Sequence, residues 1–152
     1  MAKKQSTNII RNKRASFDYD IKDTLLAGLV LTGAETRSLR EHHGSLQGAF
    51  VQIKDNEAWL VNALITPLKT NAANLPSEVQ NRNRKLLLKR REIESLIQAK
   101  TQGNTVIPIK LLTKGRYIKV EIGIGRGKRK YDKRQTIKQR DQDRDAKRAI
   151  KS

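Results

Sequence analysis

Phosphate handling is the first chemistry that the residue spacing offers. The run Gly123-Ile-Gly125-Arg-Gly127-Lys128 could cradle a nucleotide phosphate on backbone N–H groups. The detail excludes both common loop types. A Walker loop needs a glycine five positions before its Gly-Lys pair and Ser or Thr after it, and here Ile122 and Arg129 hold those positions. A dinucleotide fingerprint needs a third glycine where Lys128 stands. These glycines read instead as a strand end where the chain leaves the fold, with room for close backbone approach to RNA. His42-His43 offers a metal pair, but neighbours on a helix point apart and no third ligand stands at useful spacing. A solvated helix end near the negative dipole terminus is the better reading. Ser38 and Ser45 lack the Gly-x-Ser-x-Gly elbow of a hydrolase. The chain has no cysteine, which excludes thiolate catalysis, disulfides and Cys-based zinc. No acid–base constellation emerges, so no enzyme, metal or cofactor is expected.

Charge carries the stronger signal. The 152 residues have a net charge of +18, which attracts phosphate and makes binding fall steeply with salt through counterion release. The segment from Arg126 to Ser152 holds twelve basic residues against four acids, a local +8, and so +10 remains on the rest. Its only apolar side chains are Tyr131, Ile137, Ala146, Ala149 and Ile150, too few to offset chain entropy, so the segment reads as an arm that is disordered when free. Three basic clusters, Arg11 to Arg14, Arg82 to Lys85 and Arg126 to Arg134, favour nucleic acid over an anionic membrane. Aromatic content of 4% disfavours a platform for long single strands, and structured RNA read by shape and phosphate fits better. No secretion signal and no spanning stretch is evident, so a soluble cytoplasmic protein is expected.

Strands with helical insertions must position these residues. Ile118, Val120, Ile122 and Ile124 alternate with polar or small residues, and Ile107, Ile109 and Leu111 form the preceding strand, with a turn at Lys114-Gly115. Pro108 lacks a ladder donor and predicts an edge or a bulge. A second hairpin runs from Ala49 to Ile65: Val51 and Ile53, a turn at Asp55-Asn56, then Trp59, Val61, Ala63 and Ile65. Tyr19 to Leu31 is a further strand, bent at Gly28. Thr32-Gly33-Ala34-Glu35 is a capping box opening a helix that stops near Gly44. A second helix covers Lys89 to Gln102 with Ile93, Leu96 and Ile97 as its stripe and Gly103 closing it. The stretch between Pro67 and Asn83 has neither period and reads as a long loop. Of Leu86-Leu87-Leu88, at least one must be exposed. The fold class is mainly β with accessory helices, a small closed or nearly closed barrel of the oligonucleotide-binding type. The expected division is a basic arm at 1–15, a barrel at 16–125 and a basic tail at 126–152.

Asn12-Lys13-Arg14, Ala27-Gly28, TGAETRSLR from Thr32, RNRKLLLKRREI from Arg82 and GRGKRKYDKR from Gly125 resemble, in order and spacing, the SsrA-binding (small protein B) family of bacterial trans-translation. The resemblance implies a protein without chemistry of its own that binds the tRNA-like domain of transfer-messenger RNA and enters stalled ribosomes at the decoding centre. Its tail, helical there, would probe the empty message channel. Elongation factor Tu would be met indirectly, through the charged RNA. Carried over by position, the RNA-contacting residues are Asn12, Lys13, Arg14, Arg37, Arg40, Arg84, Lys85 and Leu87. The ribosome-binding residues are Gly127, Lys128, Arg129, Tyr131, Asp132, Lys133 and Arg134. Glu35 matches the first-helix signature. The chain departs from the family at Leu26, where Glu is usual, at Arg37 in place of Lys, and at Val79-Gln80 in place of Asp-Pro. A structural ribosomal protein is the rival reading, distinguished by constant occupancy on every ribosome.

Overall fold

The computed structural model describes residues 9–128 and 137–144. The chain runs β1 (Ile9–Arg11), α1 (Ala15–Asp18), β2 (Tyr19–Leu29), α2 (Gly33–Arg40), β3 (Gly44–Ser45), β4 (Phe50–Lys54), β5 (Glu57–Val61) and β6 (Leu64–Ile65). Two 3-10 turns, Ala72–Asn74 and Ser77–Val79, lead to β7 (Arg84–Leu87), α3 (Arg90–Thr101), β8 (Thr105–Leu112) and β9 (Lys119–Gly127). Seven strands form one antiparallel sheet in the order β1-β8-β9-β2-β7-β5-β4, and β3 pairs with β6 apart from it. The fold is thus mainly β with accessory helices.

The sheet curls until β4 comes back to β8, but no ladder joins the two, so of the two expected forms the barrel is the nearly closed one. Two local features take the groups that closure would need. β1 pairs with β8 over Lys110 to Leu112, and the Asn12 N–H donates to the Ile109 carbonyl at 2.8 Å. On the other side Lys100 of α3 reaches across and donates from Nζ to the Val51 carbonyl at 3.0 Å. Burial pushes the Lys100 ammonium below its usual range. Because β1 belongs to the sheet, residues 9–11 of the expected basic arm pair with the folded body.

The hairpin turn is where the sequence placed it. Asp55 and Asn56 have φ of 53° and 61°, the left-handed pair that a two-residue hairpin turn requires. The phase of the returning strand differs, however: Ala58 and Leu60 are buried while Trp59 and Val61 face outward. Asn62, with φ of 66°, then reverses the parity and turns Ala63 and Ile65 into the core. A similar shift occurs in β8, where a bulge between Pro108 and Lys110 leaves Ile109 unpaired. Val106 and Leu111 consequently share the core face with their partners Ile124 and Val120, and Ile109 does not sit with Leu111 as its spacing suggested. The bulge lies at the proline whose missing N–H could not serve a regular ladder.

Both expected helices form. Thr32 and Glu35 make the reciprocal capping box, Glu35 N–H to Thr32 Oγ1 at 3.2 Å and Thr32 N–H to Glu35 Oε1 at 2.9 Å. In α3, Leu96 and Ala99 are buried but Ile97 is 36% exposed, so its apolar stripe is narrower than the sequence indicated. The loop of 67–83 is pinned by Leu75, which is buried, and by Asn71, whose Nδ2 donates to the Ala34 carbonyl and to Ser38 Oγ. Residues 137–144, part of a tail whose composition permits a helix, are helical. They contain no Gly or Pro, and Gln139 donates to Asp143 one turn on.

Of the three glycines that end β9, two are fixed by packing. A Cβ on Gly125 would collide with the Asp20 carbonyl oxygen, and one on Gly123 would lie 2.7 Å from Ile109 Cδ1, whereas Gly127 has open space. Gly125→Ala is therefore expected to cost roughly 1–3 kcal/mol or more in denaturant unfolding. Gly127→Ala should leave the unfolding midpoint unchanged.

Candidate nucleic-acid interface

The basic segment before α3 is organised by one carboxylate. Glu35 is buried at the start of α2 and receives Arg82 Nη2 at 2.6 Å and the Thr32 N–H on Oε1, with Arg82 Nε at 3.0 Å and Arg84 Nε at 2.7 Å on Oε2. Burial alone pushes this carboxyl upward, but hydrogen bonds from Arg82, the Thr32 N–H and Arg84 outweigh it and hold Glu35 below the usual carboxylate range. Arg84 is 0% exposed. Its Nη1 donates to the Ala63 and Arg82 carbonyls and its Nη2 to those of Val79 and Gln80, so all five of its donors are engaged. This corrects the placement of Arg84 among RNA-contacting residues: it is an internal post, and Glu35 is more than a cap. Val79-Gln80, which stands where the resemblance led us to expect Asp-Pro, contributes two of the carbonyls that hold Arg84.

Alternation along β7 separates the inner and outer faces. Arg84 and Leu86 point inward, while Lys85 and Leu87 face out, Leu87 at 56% exposure. Leu87 is paired with Gly28, where a Cβ would lie 3.2 Å from Leu87 Cβ, so the leucine occupies the space that glycine leaves. Leu26 of β2 and Val30, just past its end, lie two residues to either side of Gly28 at 46% and 44% exposure. The result is a small apolar patch rimmed by ion pairs. Lys85 Nζ pairs with Glu57 at 2.7 Å, and Glu121, opposite Leu26, pairs with Lys110 at 3.3 Å.

A second basic group gathers around α1. Asn12 bridges the β8 bulge, donating from Nδ2 to the Pro108 carbonyl at 2.9 Å, and its Oδ1 is buried without a donor among the described residues. Lys13 is exposed. Arg14 pairs with Asp18 at 3.2 Å and lies 4.5 Å over the Phe17 ring. Gly127 is registered against Tyr19, and the Lys128 N–H donates to the Asp18 carbonyl at 2.8 Å, so the start of the tail is fixed at this point. Arg140 of the tail helix approaches Ser16 Oγ at 3.5 Å and Phe17. Arg37 is exposed on α2. Arg40 ties that helix to the β8–β9 loop through the Thr113 and Arg116 carbonyls, each at 3.1 Å. Arg129, Tyr131, Asp132, Lys133 and Arg134 lie outside the described residues. Sequence reasoning did not single out Arg82, Val30 or Trp59 as site residues, although the outward phase of β5 gives Trp59 a place on the same face as Lys85.

The chain matches the family described as SmpB protein over residues 9–152. It is 46% identical to the SsrA-binding protein of Streptococcus suis (strain 98HAH33), over 100% of this chain and 97% of that protein. It is equally similar to the SsrA-binding protein of Streptococcus pyogenes serotype M49 (strain NZ131), over 99% and 97%. Among solved structures, a chain described under "tmRNA-SmpB: a journey to the center of the bacterial ribosome" superposes with a TM-score of 0.66 at 34% identity, covering 86% of this chain and 94% of that one.

The depressed titration of Glu35 sets a pH dependence. Its stabilising contribution is complete above the unfolded-state value of 4.5 and is lost as pH falls through the lower folded-state value. Glu35→Gln is accordingly expected to cost about 3–5 kcal/mol at pH 7, since two arginines lose their counter-charge in a buried site. The gap between variant and wild type should narrow as urea unfolding is repeated at progressively more acidic pH.

Proposed function

Given that this chain belongs to the SmpB family, we propose that it binds the tRNA-like domain of transfer-messenger RNA and carries it to stalled ribosomes for trans-translation. The observation that carries this reading is the outer face at β7. There an exposed leucine sits two residues from a half-buried, outward-facing lysine, held in place by a fully satisfied arginine beneath, on a chain of net charge +18. Leu87 packs on a base or ribose, while Lys13, Arg14, Arg37 and Lys85 meet phosphates. Arg40 reaches the RNA from a helix end that its carbonyl contacts hold rigid, and Asn12, whose side chain bridges the β8 bulge, fixes the segment that presents Lys13 and Arg14. Arg84 and Glu35 act one layer down, fixing the strand that presents Lys85 and Leu87.

The tail, which leaves the fold at Lys128, probes the empty message channel beyond the decoding centre, with Arg129, Tyr131, Asp132, Lys133 and Arg134 at its base. Elongation factor Tu arrives with the charged RNA. The protein acts in the cytoplasm and makes or breaks no bond; its part is positioning.

Two measurements test this. Leu87→Ala should weaken binding to the tRNA-like domain by roughly tenfold in a gel shift at fixed salt, the scale of one lost apolar contact. Its melting temperature should stay close to that of wild type, because the side chain is exposed. A large fall in melting temperature would place Leu87 in a structural role. Separately, replacing Asp132, Lys133 and Arg134 together by Ala should keep RNA affinity within about tenfold, the effect of diffuse charge. The same variant should abolish peptide tagging on stalled ribosomes, and normal tagging would reduce the tail to an electrostatic anchor.

A further inference from the structure

Trp59 is the only tryptophan of the chain and faces outward from the middle of β5, half-buried, with Gln52 of β4 opposite it on one side and Lys85 of β7 on the other. A cleft of about 310 Å³ opens beside the indole, lined by Gln52, Lys54, Asp55, Glu57 and Asn83. Among the described residues the indole N–H and the side-chain amides of Gln52 and Asn83 make no hydrogen bond, and Lys54 makes no ion pair. Asn71, by contrast, is also an exposed-loop amide by sequence, yet it uses both ends of its side chain within the fold. The cleft therefore combines an aromatic face with unspent donors and acceptors.

We propose that this cleft receives a single unpaired RNA base stacked on Trp59. The charges choose the part of the nucleotide that enters: Lys54 and Lys85 are balanced by Asp55 and Glu57, so the site suits an uncharged group rather than a phosphate. The carboxylates and amides meet the N–H and carbonyl edges of a base, while Lys54, which makes no ion pair, lies where a flanking phosphate passes. An unpaired base is required because a base within a helix has both faces already covered. Trp59 is registered against Lys85, which precedes Leu87 by two residues on the same face, so the cleft continues the surface on which RNA binding was placed above. The inference rests on that reading and adds where one base goes. The base belongs either to transfer-messenger RNA or to ribosomal RNA, and the two sources are separable.

Full-length Trp59→Ala, Trp59→Phe and the double variant Gln52→Ala/Asn83→Ala are compared with wild type in two arms, gel shift with the tRNA-like domain and co-sedimentation with small ribosomal subunits. Loss of one stacked base should weaken binding about tenfold or more in the arm that holds the base. Trp59→Phe should keep most of the affinity and the amide variant should fall between them. If the tRNA-like domain supplies the base, adding it to wild type should also quench the fluorescence of the lone tryptophan. Should Trp59→Ala melt markedly lower, the amide variant, which removes no buried group, carries the test. Binding within about twofold of wild type by both Trp59→Ala and the amide variant in both arms overturns the stacking site and leaves the RNA-binding reading intact. Failure of wild type itself to bind the tRNA-like domain overturns that reading instead, and Trp59 is then judged on the subunit arm alone.

Discussion

One buried carboxylate sets the conditions for the rest of this molecule. Glu35 closes the first turn of α2, and from the same two oxygens it holds Arg82 and Arg84. Each link would be weak if exposed, because solvent screening leaves surface ion pairs little net value. Inside, the pair is sustained only because every remaining donor of Arg84 finds a backbone carbonyl. That requirement reaches outward: the carbonyls of Ala63, Val79 and Gln80 must be aimed at the guanidinium, and this fixes both the entry to β6 and the exit of the long loop. A helix start, a loop and a strand are thereby locked into one register.

The lock explains how a strongly basic chain can present an ordered face. Arginines close together in sequence repel one another, and Arg82 and Arg84 would splay if both were solvated. With Glu35 between them, one is drawn inside and the other is half-covered at 33% exposure. β7 then keeps its alternation, so that Lys85 and Leu87 emerge on the outer side while Leu86 remains in the core. Rigidity of the scaffold thus comes from charge that is internally neutralised, and attraction for polyanions comes from charge that is not.

Much of the fold is legible in the sequence where the determinant is local. Asp55-Asn56 specifies its turn through a left-handed preference, Thr32 and Glu35 specify a helix start, and alternation in β9 specifies which side is buried. Parity is lost where a single residue resets it. Asn62 shares the left-handed preference and Pro108 signals an edge or a bulge, but neither signal says that the chain is re-phased there, so that Ala63 turns inward and Ile109 leaves the core face. The site shows the same division. Leu87 is identifiable as exposed because three consecutive leucines cannot share one face. Arg84 is not identifiable as buried, because its partner lies 49 residues away and composition carries no trace of that pairing. Trp59 is overlooked for a related reason, since its outward orientation depends on the phase of β5 in the sheet.

The incomplete closure of the sheet has a consequence for how copies of this protein treat one another. β4 is a terminal strand with Phe50 exposed at 44%, the kind of edge on which a second chain can add a strand of its own. The Lys100 ammonium, resting on the Val51 carbonyl, takes up an acceptor that an arriving strand would need and brings a positive charge to the place where it would dock. A newcomer would have to evict that lysine and accommodate its charge. Lys100, together with the nearby β8, therefore works against the addition of a second chain along β4.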